Sequence, residues 1–334
     1  MKPFFIVGTG RCGTQLLRNI LKMWCNVRIM PETHFIVPLY NRYGTKDITF
    51  EQFIEVVDNI YSQGGHKFIH GILADAKKGY DNYKSGFQSF VTERDLSGNI
   101  KDFTEAFFEF LYGADFIFGD KTPHYGIHAK IIKDLWPDAK FIHIYRDGID
   151  VAHSMLGHGG FKKLISEDVP PKAIDEYMYG RKMTEPPKRT ILIEESLKYW
   201  EVAFINIKSS LDELKNKNDF IEVRYEDLLL YPVNEIFRIV SFLEIDYDRR
   251  AFKKAVTIPR PFPEKHQVSK LERKEYEKNF EMVRSTMTQL GYPYDSAIQR
   301  SFREQVQEMY RGRYAYFLNY KKKLKSTIKR IVGK

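Results

Sequence analysis

The chain has 334 residues, 43% of them apolar, and a formal net charge of +9. Such a chain is neither disordered nor too small for a core of its own, and it reads as one large α/β domain with no linker between halves. The positive balance favours anionic partners such as phosphates, an acidic peptide, nucleic acid or an anionic membrane, although a basic surface also serves plain solubility.

The first residues, MKPFFIVGTG, run straight into an apolar strand and a glycine loop, with no signal-peptide or anchor pattern ahead of them. No later stretch approaches the length of a spanning helix. The expected location is cytoplasmic, with peripheral membrane attachment left open. The two cysteines, Cys12 and Cys25, form no disulfide framework and no metal-ligand spacing. Both read as free thiols, Cys25 as a small buried hydrophobe.

Four apolar runs read as buried strands: Phe4 to Val7, Phe116 to Phe118, Phe141 to Tyr145 and Phe220 to Val223. Helical patterns follow three of them, at Thr14 to Trp24, Gly148 to Met155 and Val233 to Leu243. Strands alternating with helices argue for a central parallel sheet flanked by helices. Ligands of such sheets sit at the carboxyl ends of the strands. Residues 40–112 look helical and aromatic-rich, an insertion between the first two of these strands. Residues 157–195, broken by Gly157, Gly159, Gly160, Pro170, Pro171, Pro186 and Pro187, read as a long loop with a short helix. It is either an ordinary insertion or a lid. A domain over 1–310 would then end in a basic tail, 311–334, whose lysines and arginines alternate with aromatic and aliphatic residues. That tail reads as a solvated helix, a membrane-surface helix or a partner-binding segment.

Two segments carry phosphate chemistry. Val7 to Thr14 is a strand, a glycine-containing loop and a helix start. Its inward N–H groups and helix N-terminus make an anion cradle. Arg11 adds charge and Thr14 a hydroxyl. The ATPase loop G-x-x-x-x-G-K-[ST] would place Lys where Thr14 stands, which counts against a kinase. In the second segment a strand ends at Arg146 and Ser154 lies two turns along the following helix. Arg146 can fork onto a phosphate or pair with Asp147 or Asp150. His143 reads as a core histidine. His124, His128, His153 and His158 make no metal spacing.

Together these segments resemble the PAPS-dependent sulfotransferases, where PAPS is 3′-phosphoadenosine 5′-phosphosulfate. The resemblance implies a P-loop NTPase-like sulfotransferase fold. It implies that Gly10, Arg11, Cys12, Gly13, Thr14 and Gln15 bind the 5′-phosphosulfate, and that Arg146 and Ser154 bind the 3′-phosphate. Cys12 and Gln15 depart from the family's usual Ser and Thr. Met30 to Pro38 is similar to the Glu-Glu-Thr-Arg segment of the tyrosylprotein sulfotransferase branch and its bacterial relatives. Glu32 therefore inherits the role of catalytic base, with His34 the fallback. Gly119 to Pro123 is similar to that branch's Asn-Lys-Asp-Pro segment, which gives Lys121 the task of stabilising the transferring group. Tyr225 would lie near the adenine, and Ser269 and Lys278 would belong to a late segment that closes over the donor. The resemblance covers 3–38, 116–157 and 219–292. The two insertions would form much of the acceptor site.

The reading is thus transfer of a sulfuryl group from PAPS to a hydroxyl, leaving 3′-phosphoadenosine 5′-phosphate (PAP), without a metal. A carbohydrate or other non-protein acceptor is favoured and protein tyrosine is the alternative. No specific nucleic acid is expected, and a homodimer is left open. From other classes, a small-molecule kinase and a non-catalytic nucleotide-binding module compete. The first lacks its lysine, and the second does not explain why Arg11, Glu32, Lys121, Arg146 and Ser154 all fall in matching segments.

Overall fold

A computed structural model of the chain describes residues 2–63, 72–73, 76, 83–180, 183, 185–214, 216–259 and 270–292. Ser269 and the 311–334 tail lie outside the described residues.

The centre is a parallel five-stranded sheet in the order β2-β5-β1-β6-β7. Its strands are β1 (Phe4–Val7), β2 (Val27–Met30), β5 (Ile117–Asp120), β6 (Lys140–Tyr145) and β7 (Phe220–Arg224). The short strands β3 (Asp47–Ile48) and β4 (Gly98–Asn99) form a separate antiparallel pair. β1 is apolar at every position and wholly buried, as a central parallel strand must be when helices cover both faces. Its side chains divide by parity. Phe4 and Ile6 enter one core and Phe5 and Val7 the other.

β2 escapes an apolar-run reading because Arg28 interrupts it. As an edge strand it tolerates that arginine, whose guanidinium lies over the Phe116 ring at 4.1 Å. The helical insertion therefore follows the second strand rather than the first. Its helices are α3 (Phe50–Gln63), α4 (Tyr83–Glu93) and α5 (Ile100–Tyr112). They close over one sheet face through edge-on and stacked rings; Phe87 and Phe107 stand 5.1 Å apart.

Helix α1 (Thr14–Leu21) follows β1, and α2 (Ile36–Tyr43) follows β2. After α6 (Ala129–Leu135) and β6, α7 (Gly148–Leu156) runs along the sheet. The 157–195 segment is more regular than its glycines and prolines imply. It holds α8 (Gly159–Ser166) and α9 (Ile174–Gly180), joined through a 3-10 turn at Pro171–Ala173. The twenty-residue α10 (Ile193–Asp212) has no glycine or proline punctuation. It seats the fully buried Trp200 where Gly148 leaves no room for a Cβ. α11 (Tyr225–Leu230) and α12 (Pro232–Phe242) follow β7. The proline at the start of α12 sits where its missing N–H costs nothing. α13 (Arg249–Ala255), α14 (Lys270–Met282) and α15 (Arg284–Gln289) complete the described chain. Among the described residues no helix is long and apolar enough to cross a membrane.

From β1 the chain goes toward β2 at one edge, and from β6 it goes to β7 at the other. The carboxyl ends of β1 and β6 are therefore the topological switch point, where an open α/β sheet leaves a crevice.

Candidate active site

A cavity of about 520 Å³ opens at that point. Its floor is the loop between β1 and α1. Gly10 and Gly13 carry φ of 77° and 105°, and Arg11 carries 57°, so the loop curls in the left-handed region that glycine enters without strain. A Cβ on Gly10 would run into the Phe161 ring, and one on Gly13 into the Tyr225 ring. Glycine is thus needed for closeness as well as for φ. The first turn of α1 has no side-chain cap and no acidic residue, which leaves its N–H groups for an anion. Gly10, Arg11, Gly13, Thr14 and Gln15 line the cavity, whereas Cys12 is not among the lining residues and is fully buried. Burial pushes the Cys12 thiol up, away from reactivity. Cys25 corrects the sequence reading: it is a free thiol but exposed, not buried.

The two phosphate segments meet. Arg11 Nε donates to Ser154 Oγ at 3.0 Å, tying the β1 loop to α7. Arg146 donates through Nη2 to Asp150 at 3.0 Å and lies over the Tyr225 ring at 4.7 Å. Its Nε is buried without a hydrogen-bond partner among the described residues. Asp147, the other sequence-stated partner, instead caps α7 by accepting from the N–H groups of Ile149 and Asp150. Arg146 and Tyr225 both face the cavity. Lys278 does not; it is exposed and pairs with Glu194 at 3.0 Å.

Opposite the loop stand Glu32 and Lys121, at the ends of β2 and β5. Lys121 Nζ donates to Glu32 Oε1 at 2.6 Å; the lysine is 6% exposed and the carboxylate 32%. His34 Nε2 faces Glu32 Oε2 at 3.5 Å. Burial alone would raise the Glu32 pKa, but Lys121 and His34 outweigh it and hold the carboxyl well below its ordinary range. Glu32 points into the cavity, so the histidine fallback is not forced.

The Glu32–His34 segment is pinned from below by Thr33. Its N–H donates to Thr122 Oγ1 and its hydroxyl to Asp120 Oδ2, both at 2.8 Å, with Tyr125 Oη at 2.9 Å. Burial raises Asp120 to about 7 despite the hydroxyls of Thr122 and Thr33. Sequence reasoning missed this layer, although Thr33, Asp120 and Thr122 lie inside the segments it singled out.

The 157–195 segment supplies an apolar wall, Phe161, Leu164, Ile174, Met178 and Met183, together with His158 and Gly160. Among the described residues no lining residue comes from 40–112. The described part of that insertion packs into the core on one sheet face. His124 also lines the cavity, and burial lowers its pKa to about 4.

A glycine loop before a helix, an arginine at the end of the neighbouring strand β6 and a carboxylate–lysine pair at the ends of β2 and β5 thus meet at one cavity of an α/β fold. The family model of the sulfotransferase family matches residues 3–249, and the chain belongs to that family. No curated protein matches the chain in sequence. Among solved structures, a sulfotransferase domain from the curacin biosynthetic pathway is 16% identical, with TM-score 0.51, covering 87% of this chain and 98% of that one. A sulfotransferase from Alicyclobacillus acidocaldarius is 18% identical, with TM-score 0.44 and coverage of 88% and 97%. Mouse sulfotransferase SULT7A1, complexed with PAP, is 12% identical, with TM-score 0.40 and coverage of 91% and 88%.

Proposed function

We propose that the chain transfers the sulfuryl group of PAPS to the hydroxyl of a non-protein acceptor, with Glu32 as general base. The observation that carries this reading is the convergence of Arg11, Glu32, Lys121 and Arg146 on one cavity. The donor fits the residues present: the loop leaves room that a Cβ at Gly10 or Gly13 would fill, and Arg146 Nε is a buried donor awaiting an acceptor. Gly10, Arg11, Gly13, Thr14 and Gln15 would hold the 5′ end, Arg146 and Ser154 the 3′-phosphate, and Tyr225 the base. The backbone of Cys12 would contribute from within the loop. The donor supplies the sulfuryl group; its bond to the phosphate oxygen breaks as a bond to the acceptor oxygen forms.

The chain's own part is positioning and charge stabilisation. Arg11 and Lys121 neutralise charge on the oxygens that gain it. Glu32 takes the hydroxyl proton. Held by both Lys121 and His34 its carboxylate is a weak base, and it strengthens as Lys121 turns toward the donor's oxygens. Two acceptor classes compete. The apolar wall of Phe161, Leu164, Ile174, Met178 and Met183 favours an alcohol or phenol on an apolar body over a free sugar. Protein tyrosine is the second reading, because a phenol ring suits the same wall.

Incubation with 35S-labelled PAPS and four probes tests this: 1-dodecanol, 4-nitrophenol, N-acetylglucosamine and an acidic tyrosine peptide. Label on an alcohol or phenol supports the reading. Label on the peptide alone would select the second reading, and label on the sugar alone would overturn the apolar preference.

A further inference from the structure

Asp175 belongs to α9, outside the segments that supply Arg11, Glu32, Lys121 and Arg146. Its carboxylate is 1% exposed. A carboxylate buried so deeply needs a cation or a dense set of donors. The partner is His34, whose Nδ1 stands 2.7 Å from Asp175 Oδ1, with the ring's other nitrogen directed at Glu32. The backbone of His34 has φ 56°, a conformation that a non-glycine residue keeps only when its surroundings enforce it. The row Asp175, His34, Glu32, Lys121 alternates acid and base from the buried Asp175 to the cavity wall opposite the loop.

Lys121 has two tasks in the reaction read above: it pairs with Glu32, and it must serve the oxygens of the transferring group. A cation that turns to the donor no longer holds the base. His34 is as buried as Lys121 but is held from behind by Asp175, and it stays. We propose that Asp175 is a positioning residue, which fixes the His34 ring through Nδ1 so that Nε2 keeps Glu32 aimed at the acceptor hydroxyl. The inference rests on the reading of Glu32 as the base. It also gives the 157–195 segment a second task, since the same α9 that carries Asp175 supplies Ile174 and Met178 to the acceptor wall.

Groups facing His34 from the neighbouring elements are Glu32, Asp120, Lys121, His124 and, beyond Asp175 Oδ2 at 3.8 Å, His128. Burial lowers the His34 pKa, but Asp175 and Glu32 more than offset it and bring it up to about 9. The proton is therefore held by the two carboxylates, and removing either one releases it at lower pH.

The test is a double-mutant cycle read on the His34 titration by NMR in PAP-loaded protein, with the parent, Asp175→Asn, Glu32→Gln and the double variant. Asp175→Asn should lower the His34 pKa by about one to three units. The shift caused by Glu32→Gln should be smaller in the Asp175→Asn background, because the ring is no longer aimed. Equal shifts in both backgrounds, or an unmoved His34 titration, would overturn the proposal. If asparagine unfolds the chain, Asp175→Ser is read the same way. The cycle needs no turnover, so its failure differs from failure of the base assignment, which would show as a Glu32→Gln chain that still transfers sulfuryl groups at full rate.

Discussion

Replacing Gly13 by alanine isolates the cradle from the rest of the molecule. Gly13 sits at φ 105°, ψ 9°, where a residue with a Cβ is strained by about 1–3 kcal/mol. The new methyl would also overlap the Tyr225 ring, standing 2.9 Å from Cε2, with Ile144 Cδ1 at 3.3 Å on the other side. Crowding of this kind adds about 1–3 kcal/mol. The expected loss of folding stability is therefore about 2–6 kcal/mol, read from urea denaturation. Tyr225 cannot retreat alone, since the Arg146 guanidinium lies 4.7 Å over its ring. Displacing that arginine weakens a charged hydrogen bond worth about 1.5–3 kcal/mol. PAP affinity, measured by calorimetry, should fall about 10- to 100-fold. Gly159→Ala is the control, for a Cβ there meets nothing within 4 Å. A Gly13→Ala chain with the stability and PAP affinity of the parent would refute the reasoning.

Glu32→Gln should lower the transfer rate about 10²- to 10⁴-fold, the usual contribution of a general base, while PAP affinity stays near that of the parent; an unchanged rate would remove Glu32 from the chemistry. Asp120 is held protonated to about 7 in the folded chain, against 3.8 ordinarily. Its contribution to stability is full below that ordinary value and is lost as pH rises through this window. Denaturation of Asp120→Asn should then gain on the parent from low pH toward pH 7, and parallel stability curves would contradict the assignment. Arg11→Ala should weaken PAPS binding and free Ser154, and Ser154→Ala should weaken binding less, since Arg11 keeps its charge; a Ser154→Ala effect larger than that of Arg11→Ala would count against the loop as the main anion holder.

Much of the loop side of the cavity was legible because its signals are local. A short apolar run such as Phe4 to Val7, closed by glycines, reads as a buried strand, and the glycine loop after it lets the backbone curl so that N–H groups point inward. Arg146 was legible for the same reason, as the residue at a strand end. β2 was not, because Arg28 breaks its apolar pattern and edge pairing, not composition, makes it a strand. Asp175 was invisible: its partner His34 lies far away in the chain, and only the packing of α9 brings them together. Thr33 looked like an ordinary polar residue beside Glu32, and its task emerges only when Asp120 and Tyr125 arrive from β5 and the turn after it. The insertion at 40–112 is ambiguous in sequence for a physical reason. Its aromatic residues suit a ligand wall and a hydrophobic core equally, and the described ones pack into core.

The central claim is that the β1 loop and Arg146 form a donor site for a 3′-phosphorylated nucleotide. Calorimetric titration with PAP and with ATP, on the parent and on Arg146→Ala, tests it most directly. The account predicts tight PAP binding, weak ATP binding and loss of PAP binding in the variant. ATP bound as well as PAP, or PAP binding indifferent to Arg146→Ala, would contradict it.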